Sequence, residues 1–199
     1  RNCDGGILIV HDKKRETEFM KNNYGSEIHN LMFNDYIIIG PKEDLAEVSN
    51  SSSSSEVFTK IYNSGSRFIS RSDSSGTHAA EMSIWTKSGL DPTSFSGSWY
   101  LESGQGMGPS LNIATSLGGY TLTDRSSWLR FQNKANHTIL YENAQELRND
   151  YSMILVNHAR CQNLNYEAAK SLYNWLKSAE VAQLIIRYEI NNNNVFYVD

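Results

Sequence analysis

Residues 68–85, with the sequence FISRSDSSGTHAAEMSIW, place an arginine, four hydroxyl side chains and a glycine just before a predicted helix. The apolar residues before this turn indicate a short buried strand at 67–70, and the spacing of Met82 and Trp85 indicates an apolar helix face over 77–88. A helix start presents unpaired N–H groups and a partial positive charge, which attract anions. The stretch therefore predicts a strand, a polar turn and a helix that together hold something small and negative.

Short apolar runs alternate with helical patterns along the whole chain. Buried strands are predicted at 5–11, 36–40, 67–70, 98–103, 120–123 and 151–158. Helical patterns lie between most of these runs, and a break near Ser178 divides the last helical stretch into two. Strands that alternate with helices are typical of an α/β fold with largely parallel sheets.

Two further turns repeat the combination of small polar residues with a helix start. They are ESGQGMGPS at 102–110 and TLTDRSS at 121–127. Arg71 and Arg125 add guanidinium groups, whose paired donors suit a tetrahedral oxyanion. One such turn is ordinarily only a helix cap, but three turns at the carboxyl ends of strands in one α/β chain favour an anion cleft. GQGMG lacks the Gly-Lys-Ser/Thr ending of a P-loop and the full dinucleotide fingerprint, so no nucleotide cofactor is indicated.

The composition argues against several classes of function. The 199 residues carry a formal net charge of −4 without a long basic run, which argues against nucleic acid or an anionic membrane as the main partner. No run approaches the length of about 18 apolar residues that a membrane span requires. A nucleophile pair formed by His78 and a nearby serine lacks the G-x-S-x-G turn of many hydrolases, so an enzyme is not predicted.

The histidines and cysteines give no sign of a metal site. The histidines outside the opening stretch, none of which has metal-ligand spacing, are His11, His29, His137 and His158. Cys3 and Cys161 lack a CxxC spacing and are too few for a zinc site. Their separation is compatible with two buried thiols or with one disulfide. Asn50 and Asn136 begin N-glycosylation sequences.

Three motifs taken together resemble a single family. The stretches FISRSDSSGTHAAEMSIW, WYLESGQGMGPSLNIA and GGYTLTDRSSWL are similar to the tungstate-binding proteins of bacterial ABC transporters, and the resemblance covers nearly all of the chain. It implies the type II periplasmic-binding-protein fold, which is α/β with two lobes of mostly parallel sheet. Lobe 1 would comprise 1–40 with 151–199, and lobe 2 would comprise 41–150 with a solvated serine-rich loop at 49–56.

The resemblance also implies a function. It indicates an extracytoplasmic protein, periplasmic or at the cell surface, that captures tungstate or molybdate between its lobes for uptake by an ABC permease. The implied oxyanion-binding residues, of which the last three are the weaker candidates, are Arg71, Ser75, Gly76, Thr77, Thr121, Thr123 and Arg125. Gly104–Gly108 would shape the wall of the site. The alternative is a secreted or surface protein that keeps the fold as an interaction module, which the serine run and the glycosylation sequences favour.

The family begins with a strand, a helix and a second strand that have no counterpart in this sequence. The sheet of lobe 1 would then have an unpaired edge, and we expect a noncovalent partner to cover Ile7–Val10 and Met153–Val156. That partner would be the segment itself, a second copy or another subunit. In the family's fold the strands beside Cys3 and Cys161 share lobe 1, so the resemblance implies a disulfide between them, as a secreted setting permits.

Overall fold

The computed structural model describes residues 2–199, and the chain forms two compact units. Unit 1 comprises the chain up to Asn34 together with Asn149–Asp199, and unit 2 comprises Asp35–Arg148. The strands are β1 (Ile7–Val10), β2 (Gly25–Pro41), β3 (Phe68–Ser70), β4 (Tyr100–Glu102), β5 (Thr121–Asp124), β6 (His137–Glu142), β7 (Arg148–Val156), β8 (Glu189–Ile190) and β9 (Asn193–Asn194). The helices are α1 (Lys13–Lys21), α2 (Ser54–Ser64), α3 (Gly76–Lys87), α4 (Met107–Leu117), α5 (Arg125–Arg130), α6 (Tyr166–Leu176) and α7 (Ala179–Ile186). The boundaries expected at 40/41 and 150/151 fall inside β2 and β7, and each of these strands supplies residues to both units.

Unit 1 buries β7 and exposes part of β1. The two strands pair in antiparallel register, with Ile7 opposite Leu155. Met153 and Leu155 are fully buried, and Tyr173 of α6 completes their core. Each such apolar side chain contributes about 2 kcal/mol when it is fully buried. Ile9 on β1 is 50% exposed, and the expectation that a partner covers this lobe stays a prediction.

The disulfide implied by the family resemblance is present in unit 1. Cys3 and Cys161 are bonded, with an S–S distance of 2.03 Å and 5.4 Å between their Cα atoms. The bond joins the segment before β1 to the loop after β7 across a sequence separation of 158 residues. Both cysteines of the sequence are thereby used, which decides between buried thiols and a disulfide.

The strands of unit 2 belong to two sheets and pair in both directions. β3 pairs in parallel with β4, where Phe68 lies opposite Tyr100, and a parallel bridge from Phe68 to Tyr120 brings the start of β5 alongside. β2 runs antiparallel to β5 and β6, with Ile37 opposite Thr123. The expectation of mostly parallel sheets therefore holds for β3, β4 and β5 but not for the pairs that β1 and β2 form. A run of apolar residues indicates that both faces of a strand are buried, but it does not indicate whether the neighbouring strands run parallel or antiparallel.

Aromatic side chains fill the core of unit 2. Phe58, Phe68, Trp85 and Tyr100 are all essentially inaccessible to solvent. The ring centroid of Trp85 lies 4.4 Å from that of Phe58 and 5.4 Å from that of Phe68, both in edge-to-face contact. Such rings bury a large apolar area and favour this geometry. Because Trp85 belongs to α3 and Phe68 to β3, this core fixes the helix relative to the strand that precedes it.

The serine-rich segment 49–56 is not a loop throughout, contrary to the prediction. A 3-10 turn covers Val48–Asn50, and α2 begins at Ser54, which is almost fully buried. Ser53 caps this helix by accepting the backbone N–H of Glu56 at 3.2 Å. A low-complexity serine run suggests a solvated loop, but serine is also among the best N-cap residues, so the run starts the helix.

β2 is longer than the sequence indicated. The apolar run 36–40 is only its last part, and the strand begins at Gly25. That helix, α1, ends at Lys21. A Cβ atom on Gly25 would collide with the side chain of Met20 and would lie 2.6 Å from Cγ2 of Ile154. This glycine is therefore explained by close packing rather than by helix termination.

Candidate functional site

Three strand-to-helix turns of unit 2 lie at the carboxyl ends of β3, β4 and β5, which lead into α3, α4 and α5. Hydrogen bonds tie the turns together. The backbone N–H of Ser103 donates to the carbonyl of Ser70 at 2.9 Å, and its hydroxyl donates to the carbonyl of Arg71 at 3.3 Å. On the other edge of β3, the hydroxyl of Thr121 donates to the carbonyl of Ile69 at 2.7 Å. The three helix starts therefore form one connected structure.

The turn before α3 is organised around Arg71. Its guanidinium donates to the carboxylate of Asp73 and, at 3.2 Å, to the hydroxyl of Thr77. Asp73 in turn accepts the backbone N–H of Ser75 at 3.1 Å. Although partial burial acts to raise it, hydrogen bonds from Ser75 and Arg71 hold the pKa of Asp73 below its usual value. Ser75 caps α3 by accepting the backbone N–H of His78 at 3.3 Å, so Gly76 and Thr77 open the helix beside the arginine.

Two serines of this turn adopt the left-handed backbone region that non-glycine residues rarely occupy. Their φ angles are 45° at Ser72 and 59° at Ser74. The backbone N–H of Ser72 donates to the hydroxyl oxygen of Ser70 at 3.2 Å, and its own hydroxyl donates to Glu102 at 2.8 Å. The backbone N–H of Ser74 donates to Nδ1 of His78 at 3.3 Å. Side chains on both neighbouring strands and on α3 thus hold the strained backbone in place.

The turn before α4 is open. The helix begins after Gly106, which as glycine has no side chain to cap it. No described atom would lie within 4 Å of a Cβ atom built on Gly104, Gly106 or Gly108, apart from their own immediate surroundings in the chain. The hydroxyls of Ser103 and Ser110 are hydrogen-bonded at 2.8 Å and anchor the two ends of the turn. Because Gly106 has no side chain, it does not cap the first N–H groups of α4. Helix N–H groups without a side-chain cap are suited to binding an anion.

The turn before α5 is closed. The hydroxyls of Thr121 and Thr123 are buried and donate to main-chain carbonyls. The guanidinium of Arg125 donates to the carboxylate of Asp35 at 2.6 to 3.1 Å and to Glu142 at 2.6 Å. These bonds, led by those that Arg125 donates to Asp35, raise the pKa of Arg125 above its already high ordinary value. The three weaker candidates of the sequence are therefore tied to partners within unit 2, and Arg125 is already neutralised by two carboxylates.

Glu81 is a component of this region that sequence reasoning missed. It is 2% exposed and accepts three hydrogen bonds, from the hydroxyl of Ser70 at 2.8 Å, from the hydroxyl of Tyr100 at 2.8 Å and from the indole N–H of Trp85 at 3.2 Å. Burial raises the pKa of Glu81 to about 7, against the lowering effect of these bonds. A signal was present in the sequence, because Glu81 precedes Trp85 by one helical turn and so shares its buried face.

The remaining candidates lie apart from these turns. Asn50 and Asn136 are exposed, and the side-chain amide of Asn136 donates to Glu43 at 2.6 Å. Within residues 2–199, no helix has the length and apolar character needed to cross a membrane. The same residues contain no group of three or more His, Cys, Asp or Glu side chains placed to hold a metal ion.

Comparison with known proteins identifies the family. The family model that matches is described as a PBP superfamily domain, and it covers residues 1–180. The chain belongs to the PBP superfamily. The α/β fold of type II periplasmic binding proteins, expected from the sequence, is thereby confirmed.

Within the PBP superfamily the chain is similar to tungstate-binding proteins. It is 36% identical over 202 residues to the tungstate-binding protein TupA of Campylobacter jejuni, covering 100% of this chain and 74% of that protein. A Haloferax volcanii protein named as an ABC transporter anion-binding protein is 35% identical, and the match covers 99% of this chain but only 58% of that relative's length. The solved structure of TupA from Desulfovibrio alaskensis superposes with a TM-score of 0.84 at 33% identity, over 100% of this chain and 80% of that one. All three are named for ligand binding, which confirms the prediction of a binding protein rather than an enzyme.

Proposed function

We propose that this protein is an extracytoplasmic solute-binding protein that captures a tetrahedral oxyanion, tungstate or molybdate, for uptake through an ABC permease. The observation that carries the proposal is the 36% identity, over the whole chain, to a protein named for tungstate binding. The Haloferax volcanii relative, named for anion binding in ABC transport, supports the same class of function. Neither relative favours the alternative of an interaction module without transport.

The chemistry of the turn before α3 supports the proposal. Tungstate and molybdate present only acceptor oxygens when they are fully ionised, so their site needs donors. Arg71 offers five N–H groups, and within the described part of the chain its Nε is buried without a hydrogen-bond partner. A buried donor without a partner costs about 1–3 kcal/mol, which an oxyanion oxygen would recover. The hydroxyls of Ser75 and Thr77 and the N–H groups at the start of α3 lie in the same turn.

Asp73 has a defined place in this proposal. Its carboxylate holds the guanidinium of Arg71 from one side, so the arginine is oriented before an anion arrives. Preorganised donors lose less conformational entropy on binding than mobile ones. The uncapped start of α4, one strand away, supplies neutral N–H donors that add no further charge. Thr121 and Thr123 on β5 and Arg125 at the start of α5 then support the site rather than serving as its main donors.

Titration calorimetry of the full-length protein tests the proposal. Sodium tungstate and sodium molybdate are titrated into the protein, with sulfate and phosphate as competing tetrahedral anions of different size and protonation. We expect saturable one-to-one binding of tungstate or molybdate that sulfate and phosphate displace only weakly. The absence of heat and of thermal stabilisation with all four anions would overturn the proposed function.

A further inference from the structure

The buried carboxyl of Glu81 is connected to the turn of Arg71 through one hydroxyl group. Ser70, the last residue of β3, donates its hydroxyl proton to Glu81 at 2.8 Å. The same oxygen accepts the backbone N–H of Ser72 at 3.2 Å. Ser70 is completely buried, so water does not replace either bond. The residues on both sides of Arg71 are thus linked by two hydrogen bonds in series, from the N–H of Ser72 to the hydroxyl of Ser70 and from that hydroxyl to Glu81. We call this series the relay.

The other partners of Glu81 fix which way this relay runs. Tyr100 and Trp85 both direct their protons at Oε1, and an indole N–H can only donate. The second oxygen, Oε2, is left to face Ser70. An ionised carboxylate accepts all three bonds, and the hydroxyl oxygen of Ser70 then stays available to Ser72. A proton on Oε2 would instead be donated to the hydroxyl oxygen of Ser70. That hydroxyl oxygen would then accept from both Glu81 and the backbone N–H of Ser72, and its own proton would lose its acceptor on Glu81.

We propose that Glu81 is a positioning residue for oxyanion binding, which sets the backbone around Arg71 through the hydroxyl of Ser70. The inference deepens the proposed function and rests on it. Glu81 does not touch the ligand in this proposal, and its ionised form is the one that supports binding. Protonation reverses the hydrogen bond to Ser70, loosens the N–H of Ser72 and lowers the affinity for the anion.

Titration of Glu81 lies in an accessible pH range, since burial raises the pKa of this carboxyl to about 7. The titratable groups that face it are Tyr100 and Glu102 on β4. β3 carries no titratable side chain. On α2, which packs against α3, Glu56 and Lys60 are paired with each other at 3.2 Å, and on β5, which also packs against α3, Asp124 accepts the backbone N–H of Ser127. The pH dependence expected below is therefore assigned to Glu81 and tested by removing its titration.

The variant Glu81→Gln has nearly the same shape but a fixed hydrogen-bond pattern. Its carbonyl oxygen still accepts from Tyr100 and Trp85, and its amide donates permanently to Ser70. It therefore imitates the protonated form at every pH. Loss of the negative charge alone would strengthen anion binding, whereas reversal of the relay weakens it. The direction of the change in affinity thus separates positioning from simple electrostatics.

Glu146→Gln is the matched control. Glu146 also belongs to unit 2 and also accepts bonds from a serine and a tyrosine hydroxyl, those of Ser54 and Tyr141. These partners lie on α2 and β6, away from the turn of Arg71. The control loses the same chemical group and the same type of hydrogen bonds. We expect its tungstate affinity to equal that of the parent protein.

The experiment measures the dissociation constant for sodium tungstate by calorimetry between pH 6 and pH 8. We expect E81Q to bind about tenfold more weakly than the parent at pH 8, which corresponds to the loss of one hydrogen bond. The parent should weaken toward the E81Q value as the pH falls, and E81Q should show little change. E81Q keeps every other titratable group of the protein, so any pH dependence that does not come from Glu81 persists in the variant and can be subtracted.

Ser70→Ala provides a second test that does not depend on the folding of E81Q. It removes the relay while leaving the carboxyl in place, and we expect a similar loss of affinity. In the double variant the two losses should not add, because both residues act through one contact. Equal or tighter binding by E81Q at pH 8, or full affinity in S70A, would overturn the inference while leaving the proposed function intact. A parent protein that binds no oxyanion would overturn both.

Discussion

Arg125 and Asp35 form a tightly bonded ion pair, in which Nε and one terminal nitrogen of the arginine donate three hydrogen bonds to the two carboxylate oxygens at 2.6 to 3.1 Å. Asp35 is nearly buried and is the first residue of unit 2. Arg125 is the first residue of α5. Two-pronged bonds of this kind are shorter and stronger than single neutral ones. The pair therefore fastens the start of α5 to β2.

The first prediction is that Asp35→Asn destabilises the protein by about 2 kcal/mol, because it removes the nearly buried carboxylate and leaves Arg125 paired only with the exposed Glu142. Urea unfolding measures the change in the free energy of unfolding. Glu142→Gln removes the second carboxylate bonded to Arg125, whose side chain is 56% exposed. This control should cost less than about 1 kcal/mol, as exposed ion pairs do. Equal effects of the two variants would contradict the assignment of the buried pair as the stabilising one.

The second prediction concerns Arg71. Arg71→Ala should lower the affinity for tungstate about a hundredfold, because a charge-assisted hydrogen bond contributes about 1.5–3 kcal/mol and each 1.4 kcal/mol is a tenfold change. Arg71→Lys should recover only part of this loss, because a lysine offers a point charge and cannot bond both Asp73 and an anion in one plane. Calorimetry with tungstate and molybdate makes the measurement.

Arg67→Lys is the control for this pair of variants. Arg67 is exposed just before β3 and donates to the carbonyl of Leu117 at 3.0 Å. It carries the same charge but lies at the opposite end of the strand from Arg71. Its replacement should leave tungstate binding unchanged. If Arg71→Ala bound as tightly as the parent, Arg71 would be a structural partner of Asp73 and Thr77 only.

Several features of the fold could be predicted because local chemistry determines them. The N-caps are the clearest case, since Asp124 accepts the backbone N–H of Ser127 at 2.9 Å, as expected of a capping aspartate. Ser178 likewise caps α7 at the predicted break between the last two helices. The capping side chain and the backbone N–H group that donates to it lie within three residues of each other. Short-range hydrogen bonds of this kind can be predicted from the types of neighbouring residues.

Other features depended on distant contacts and could not be predicted from local patterns. The first part of β2 has few apolar residues in succession, and its pairing with the rest of the fold defines it as a strand. The partners of Arg125 lie 90 residues away at Asp35 and 17 residues away at Glu142. The candidate turns were found, but which of their side chains are engaged by carboxylates or carbonyls could not be. That information lies in sequence-distant hydrogen bonds, which a single sequence does not display.

The third prediction concerns the disulfide of unit 1. Replacing both Cys3 and Cys161 by serine should lower the free energy of unfolding by about 4 kcal/mol, since the bond closes a long loop and restricts the unfolded chain. Urea unfolding under non-reducing conditions measures the loss, and the parent treated with a reductant should show a similar one. Thiol titration of the native, oxidised protein should find no free thiol. Two reactive thiols in that protein would contradict the pairing.

The last prediction is a pH dependence of stability that originates at Glu81. In the folded protein burial raises the pKa of this carboxyl to about 7, from an ordinary value of 4.5. Below the unfolded value the group is neutral in both states. As the pH rises from there through 7, the unfolded chain loses its proton first, so the contribution of Glu81 to stability declines and is lost above the folded pKa. A shift of this size corresponds to about 3 kcal/mol.

Urea unfolding at pH 5 and pH 8 measures this effect. Between pH 5 and pH 8, the free energy of unfolding of Glu81→Gln should improve relative to that of the parent by about this amount. Glu146→Gln should show no such change over this range, because hydrogen bonds from Ser54 and Tyr141 outweigh partial burial and hold the pKa of Glu146 below its usual value. A constant difference in stability between parent and E81Q from pH 5 to pH 8 would show that this carboxyl does not titrate as its burial requires.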